Sequence, residues 1–289
     1  MNGILNVLKP PGKTSHQVVA EIRKKLGIKK VGHTGTLDPN AAGVLPICVG
    51  KATRVSQYVL DFDKVYRAEV TLGKTSDTGD LYGNVIEKEL PDNFSLSKNE
   101  LNNILEKFTG EINQTPPMAS AIKVKGKKLY EYYRQGEEVD IPTRKVKIYN
   151  IKLLEKPFDC KKFYIDVTCS KGTYIRTLCT DIGESIGTSG VMSFLLRTKV
   201  GPFEIDTAIP LSKIKRENVF DIMLPIDSAL VHFPKLVLNE PSSDSIIHGR
   251  KVAINSEVKG VARVYNTAGE FLALARVKNN VLIPEKVYF

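Results

Sequence analysis

No two cysteines in this chain have the C-x-x-C spacing of a zinc or redox site. Cys48, Cys160, Cys169 and Cys179 stand singly, which argues against a disulfide framework and reads as four reduced core residues. Long apolar runs are missing too. No stretch approaches the roughly 18 apolar residues of a membrane span, and the first residues lack the basic-then-apolar order of a secretory leader. The cytoplasm is therefore the expected compartment, with no membrane partner. Acidic residues are in deficit: 32 Asp and Glu stand against 42 Lys and Arg, a net charge of +10. That balance favours a polyanionic partner without distinguishing RNA, DNA or a membrane surface. The deficit is uneven, because residues 1 to 60 hold nine Lys/Arg and only two Asp/Glu, a net of +7.

One of those two acids is Asp38, alone among small and apolar residues in GHTGTLDPNAAGVLP. An ionised carboxylate is costly to bury unless a cation pairs with it or water reaches it. Gly27 and Gly32 have G-x-x-x-x-G spacing, but His33 and Thr34 follow where a phosphate loop needs Lys and Ser/Thr. Pro39 biases Asp38 toward an extended backbone, and Gly32, Gly35 and Gly43 permit close approach. Two readings fit: a carboxylate presented from a tight loop, or an Asp-Pro turn bonded to its own backbone.

The surrounding pattern is α+β. A strand over Ile4 to Leu8 turns at Pro10, Pro11 and Gly12 into a helix with Ser15 as the expected N-cap. That helix has an apolar stripe of Val18, Val19, Ile22 and Leu26, a basic last turn and Gly27 at its end. In KVYRAEVTLG, Tyr66, Ala68, Val70 and Leu72 share one face, so Tyr66 points inward as a core residue or a stacking surface. Asp77 and Asp80 in TSDTGDLYGN lack calcium-loop spacing and read as a polar turn. Ser97 caps a helix reaching toward Thr109. From Met118 to Lys147, Lys123, Lys125, Lys127, Lys128 and Arg134 interleave with Tyr130, Tyr132 and Tyr133. The mixture suits phosphate and stacking contacts with nucleic acid, and equally a solvated lysine-rich helix over packed tyrosines. Phe163, Ile165, Val167 and Cys169 alternate along another strand, and a Gly172 turn leads to a helix with the stripe Ile175, Leu178, Ile182, Ile186. Arg176 lies off that stripe in the first turn, where the helix dipole disfavours a cation by a few tenths to about 1 kcal/mol, so it asks for an acid partner. Beyond residue 231, short strands near 261–265, 271–277 and 281–283 suggest a small β-barrel.

The segments LKPPGKTS, VGHTGTLDPNAAGVLPICVGKATR, KVYRAEVTLG, GKKLYEYYRQG, SKGTYIRTL and LLRTKVGPF, from about Gly3 to Phe203, resemble the tRNA pseudouridine synthase B family in order and spacing. That family isomerises the T-arm uridine at tRNA position 55. The resemblance implies an α+β catalytic domain over 1–230, built on a mixed, predominantly antiparallel sheet, with a thumb-like RNA-binding segment at about 118–144. A compact PUA-like β-barrel over 231–289 would follow. It implies Asp38 as the catalytic group, Arg176 as its partner and Tyr66 stacked on the flipped uracil. Tyr174 and Leu196 would also hold the substrate, with Leu196 against the base, while Lys9 and Pro10 buttress the site and His33 fills the gap left in the T-loop. Lys123, Lys125, Lys127, Lys128 and Arg134 would bind RNA.

The reaction cleaves the bond from ribose to the ring nitrogen, turns the base, rejoins it through carbon-5 and releases that carbon's proton. Nothing is oxidised or brought in, so neither cofactor nor metal is expected, and the implied partner is the tRNA T-arm, met by a monomer with no guide RNA or protein partner. Arg176 is expected to lower the pKa of Asp38 against an apolar surround. Two rivals remain at this level: an RNA-binding protein without catalysis, and a glycoside-type hydrolase, which would normally need a second carboxylate that no paired-acid motif supplies.

Overall fold

Thr14, rather than Ser15, caps the first helix, α1 (Ser15–Leu26). Its hydroxyl accepts from the Gln17 amide at 3.0 Å, and the Gln17 side chain accepts from the Thr14 amide at 2.7 Å, a reciprocal capping box. Ser15 is thereby free to be buried. Its hydroxyl accepts from the Leu37 amide at 3.0 Å and donates to the Leu37 carbonyl at 3.2 Å, which ties the start of α1 to the loop carrying Asp38. The predicted stripe Val18, Val19, Ile22 and Leu26 packs with Leu5, Val7, Leu45 and Ile47, and Gly27 closes the helix at φ +68°.

The computed structural model describes residues 1–289 apart from the side chains of residues 156 and 157. After α1, the elements that place the site are β2 (Val31–His33), β3 (Ala42–Val49), β4 (Lys64–Leu72), α2 (Lys98–Glu106), β5 (Gly110–Gln114) and the hairpin β6 (Lys123–Val124) with β7 (Lys127–Lys128). Then come α3 (Leu129–Gln135), β8 (Arg144–Asp159), β9 (Lys162–Cys169), α4 (Ile175–Ser185) and β10 (Gly190–Val200). With the N-terminal strand β1 (Gly3–Lys9), the strands other than the separate hairpin β6–β7 belong to a ten-stranded sheet whose main path is Ile209–Pro210, β1, β3, β10, β4, β9, β8, β5. β2 pairs with β3 and Phe203–Glu204 with β10. Only the β10 to β3 and β1 to Ile209–Pro210 pairings are parallel, so the sheet is mixed and predominantly antiparallel.

The period-2 faces predicted for β4 and β9 meet in register: Ala68 opposes Ile165 and Val70 opposes Phe163. α4 lays Ile175, Leu178 and Ile182 on that face, and α2 adds Leu101 and Leu105. Each such buried side chain contributes roughly 1.5–3 kcal/mol of apolar transfer. The basic and aromatic residues of 118–144 divide between two elements. Lys123, Lys127 and Lys128 stand on the hairpin with Lys125 at its tip, and the tyrosines stand on α3, so the lysine-rich helix is not formed.

The C-terminal strands run in the order Lys235–Val237, Gly260–Tyr265, Phe271–Lys278, Val281–Val287, Val252–Ala253, and the two end strands do not pair. The expected small β-barrel is present as a half-barrel: its end strands are three and two residues long, and the helix Glu240–Ile247 between them buries Ile246 on the sheet. Leu274 of this sheet and Tyr288 just after it join Ile4 and Val44 in one core. Lys51 donates to the Phe289 carbonyl at 2.9 Å, and Arg54 to that of Val287 at 2.7 Å. No described helix is long and apolar enough to cross a membrane.

At Gly43, β3 is flanked by β1 on one side and β10 on the other. Gly43 lies opposite Lys9 and Arg197, has φ +124°, and a Cβ there would sit 2.2 Å from the Arg197 carbonyl oxygen. Gly43→Ala should therefore cost about 2 kcal/mol or more, read as a lower denaturant midpoint at unchanged slope; an unaltered midpoint would contradict this packing.

Candidate active site

The loop from Gly35 to Ala41 is held by two buried cations that face backbone carbonyls rather than carboxylates. Lys9, at the end of β1 and wholly buried, donates to the carbonyls of Pro10 (2.9 Å), Pro39 (2.8 Å) and Ala41 (2.7 Å). Burial lowers its pKa to about 8, yet at neutral pH it remains an ammonium ion able to donate all three protons. Arg197, on β10 and 1% exposed, donates to the carbonyls of Val44 (2.8 Å), Thr36 (3.3 Å) and Gly35 (3.3 Å). With Ser15 holding Leu37 from α1, the loop has fixed points on three elements. Asp38 has little freedom of position.

Arg176 meets it from the first turn of α4. Nε lies 3.1 Å from Oδ2 and Nη2 lies 3.4 Å from Oδ1 of Asp38, with Arg176 4% exposed. The rest of the guanidinium donates to the carbonyls of Thr78 (2.9 Å) and Ala119 (3.0 Å), and Nη1 faces Asp80 Oδ2 at 3.9 Å. Gly79 packs against the stem of Arg176, where a Cβ would come within 3.2 Å of the arginine Cβ. The acid partner that the helix dipole calls for is therefore double, Asp38 and Asp80, and two carbonyls complete the shell. Asp80 itself is fixed by the Thr78 hydroxyl (2.8 Å) and the Tyr82 amide (2.9 Å).

These groups form the floor of a cleft of about 1450 Å³. Tyr66 lines it, partly buried; burial pushes its phenol up, opposed by the Arg197 charge. Tyr174, the residue before α4, lines it too, with its amide and carbonyl taken by the Gln114 side chain at 3.0 and 3.2 Å; burial likewise raises its phenol. At the rim, the rings of His33 and His16 stand edge to face, centroids 5.3 Å apart. Burial, with His16 and Arg197 nearby, lowers the His33 pKa, so the ring is neutral at neutral pH.

The structure places other candidates differently. Leu196 does not line the cleft, whereas Leu195 does. Leu195 pairs with Ala68 and Arg197 with Tyr66, on the cleft face, while Leu196 opposes Arg67 on the other face; one residue along a strand reverses the side. Pro10 contributes its carbonyl to Lys9 rather than a surface to the cleft. Of the basic set, Lys128 and Arg134 line the cleft with Tyr130 and Tyr133, whereas Lys123, Lys125 and Lys127 do not. Lys127 is engaged by Glu137 at 3.0 Å. Arg197, Asp80 and His16 were not among the sequence candidates. Only Arg197 left a sequence signal, as a charge directly after the apolar run Phe194–Leu196. Among the described residues no His, Cys, Asp or Glu group is arranged to hold a metal ion.

Three family models cover nearly all of the chain: TruB family pseudouridylate synthase (N terminal domain) at residues 23–175, tRNA pseudouridylate synthase B C-terminal domain at 176–231, and Pseudouridine synthase II TruB, C-terminal, at 234–287. Among similar proteins, tRNA pseudouridine synthase B of Alkaliphilus oremlandii is 53% identical over 256 residues, 88% of this chain and 84% of that protein. Its counterpart in Caldanaerobacter subterraneus is 45% identical over 290 residues, 100% and 99% of the two chains. The fold is similar to a chain in an H/ACA RNP bound to a substrate RNA containing 2'-deoxyuridine, with TM-score 0.75, 27% identity and 99% and 85% coverage. It is also similar to one in a Cbf5-Nop10-Gar1 complex, with TM-score 0.75, 29% identity and 99% and 85% coverage.

The Asp38 carboxyl, 35% exposed in its side chain, lies above the ordinary aspartate pKa. Burial is the largest influence and Asp80 adds to it; Arg176 is the largest opposing one, with Lys9 and Arg197 behind it. The net direction is the reverse of the sequence expectation, because the loss of water around the carboxylate outweighs the guanidinium. Arg176→Ala should drive the Asp38 titration, followed by carboxyl carbon NMR, further up; a midpoint unmoved or lowered would show that Arg176 does not control it.

Proposed function

The chain belongs to the TruB family of pseudouridylate synthases, and we propose that Asp38 acts on a T-arm uridine swung out of its loop and into the cleft. The protein is a tRNA pseudouridine synthase, an isomerase. The observation that carries the assignment of Asp38 is its carboxylate, paired with Arg176 at 3.1 Å on the floor of an open cleft, with an aromatic ring beside it. The T-arm uridine at position 55 is the target, and the chain acts as a monomer without guide RNA or protein partner; the thumb segment at 118–144 is the support for this stand-alone reading.

Each residue then has a task. Asp38 meets the flipped nucleotide, where the ribose to ring nitrogen bond breaks and the bond to carbon-5 forms as that carbon loses its proton. Arg176 orients the carboxylate through a planar fork that a lysine cannot reproduce. Tyr66 stacks on the uracil, Leu195 packs beside it in the role expected of Leu196, and Tyr174 closes the α4 side. His33, neutral, fills the space left in the T-loop. Swinging the base out costs a few kcal/mol, offset by stacking and by phosphate contacts from Lys128 and Arg134. The C-terminal half-barrel serves as a compact PUA-like RNA-binding domain over 231–289, supported by its place after the catalytic domain and its basic strands. Asp80 does not supply the second acid of a hydrolase: Oδ1 is engaged by Thr78 and Tyr82, and Oδ2 faces Arg176.

The purified chain, without added metal or cofactor, should release tritium from carbon-5 of one T-arm uridine in an unmodified tRNA transcript; binding without release at stoichiometric protein would leave only an RNA-binding module. Asp38→Asn should abolish release while tRNA affinity stays within about tenfold. Full turnover by that variant would remove Asp38 from the chemistry. Lys128→Gln combined with Arg134→Gln should weaken tRNA binding and flatten its salt dependence by about one unit of slope for each phosphate no longer neutralised; an unaltered slope would take both residues off the phosphate backbone.

A further inference from the structure

We propose that Tyr82 is a stacking platform for a nucleobase of the bound RNA other than the one acted upon, a proposal that rests on the RNA-modifying reading of the cleft. Tyr82 is 66% exposed, on a face where an aromatic side chain ordinarily seeks cover, and its ring lines the same cleft as Asp38 and Arg176. The ring belongs to none of the hydrophobic cores, and among the described residues its hydroxyl has no hydrogen-bond partner.

The backbone beneath it is held firmly. Its amide donates to Asp80 Oδ1 at 2.9 Å, and Asp77 takes the Asn84 amide at 2.9 Å and the Asn84 side chain at 2.8 Å. Gly83 sits so close to Asp77 that a Cβ there would lie 2.1 Å from its Oδ1. The turn is stapled below to Lys74–Ser76 and Val85–Glu87, which pair as a hairpin, and at its side to α3, where Tyr133 donates to Asp77 Oδ2 at 2.9 Å. A ring carried on a backbone already fixed has only its own side-chain rotation to lose on binding, which suits a stacking surface.

The ring's place assigns its ligand. Tyr66 holds the floor beside Asp38, so a single flipped base is already served there, whereas Tyr82 stands toward solvent on the Asp80 turn. Lys128 and Arg134, on the hairpin and α3, line the same cleft and can take phosphates of the strand whose base meets Tyr82. The neighbouring exposed Leu81, Val85 and Ile86 are the feature that would suit a protein surface instead, and a ring indifferent to bound RNA is the result that would favour that occupant.

Because the chain has no tryptophan, Tyr82→Trp introduces a single indole reporter at this point. T-arm stem-loop RNA should quench its emission saturably, in an Asp38→Asn background as well, so the result does not depend on turnover. Tyr82→Ala should weaken binding of the same RNA roughly tenfold with an unaltered salt slope, and Tyr82→Phe should bind like the parent, since the stack is neutral and needs no hydroxyl. An indole unmoved by RNA that demonstrably binds, an Ala variant with parental affinity, or a Phe variant as weak as Ala would each overturn the proposal. Failure of tritium release with quenching intact would instead fault the catalytic reading alone.

Discussion

A carboxylate kept usable on a largely dry floor is the constraint around which this structure is arranged. Asp38 cannot be ionised there without positive charge nearby, and it cannot be productive if it merely collapses into a salt bridge. Three cations share the work. Only Arg176 touches the carboxyl, through Nε at 3.1 Å, while Lys9 and Arg197 spend their protons on loop carbonyls and act on Asp38 through space. The carboxyl therefore sits above its ordinary pKa yet remains held by one fork-shaped partner.

That arrangement explains features that would otherwise look wasteful. Burying a lysine and an arginine without paired acids is expensive, but each is satisfied by carbonyls that a tight Gly-rich loop turns inward. The cations thus become structural pins for the loop. Gly43 lets their strands approach, and Ser15, released from capping by Thr14, adds the third pin. Arg176 is fixed in turn by the Thr78 and Ala119 carbonyls, one on the Asp80 turn and one just before the β6–β7 hairpin, so two segments that line the cleft also hold the residue that grips the carboxylate.

Much of this was legible from local chemistry. The α1 stripe, the β4 and β9 alternation and the capping of α2 follow from period and neighbours alone, and they came out as read. Arg176 was legible because a cation in the first turn of a helix is locally unfavourable, a conflict visible in one segment. Asp38 was legible as an acid without a nearby partner. Where reading failed, the deciding neighbour was far away or the margin was a single residue: Leu195 and Leu196 are both apolar, and only the bulged register of β10 against β4 turns the first toward the cleft.

Sequence by itself determined which groups the chain brings to its task, the kinds of element that carry them, and an excess of positive charge suited to a polyanion. Tertiary structure alone decided their environment. Arg197 reaches Thr36 across 161 residues and Arg176 reaches Asp38 across 138, while Asp80, an ordinary turn acid in the sequence, becomes a partner only when its turn folds against α4. The direction of the Asp38 pKa belongs to the same category. Residue type supplies the charges, but the desolvation that outweighs them depends on how many other elements close around the carboxyl, and that is a property of packing rather than of any stretch of chain.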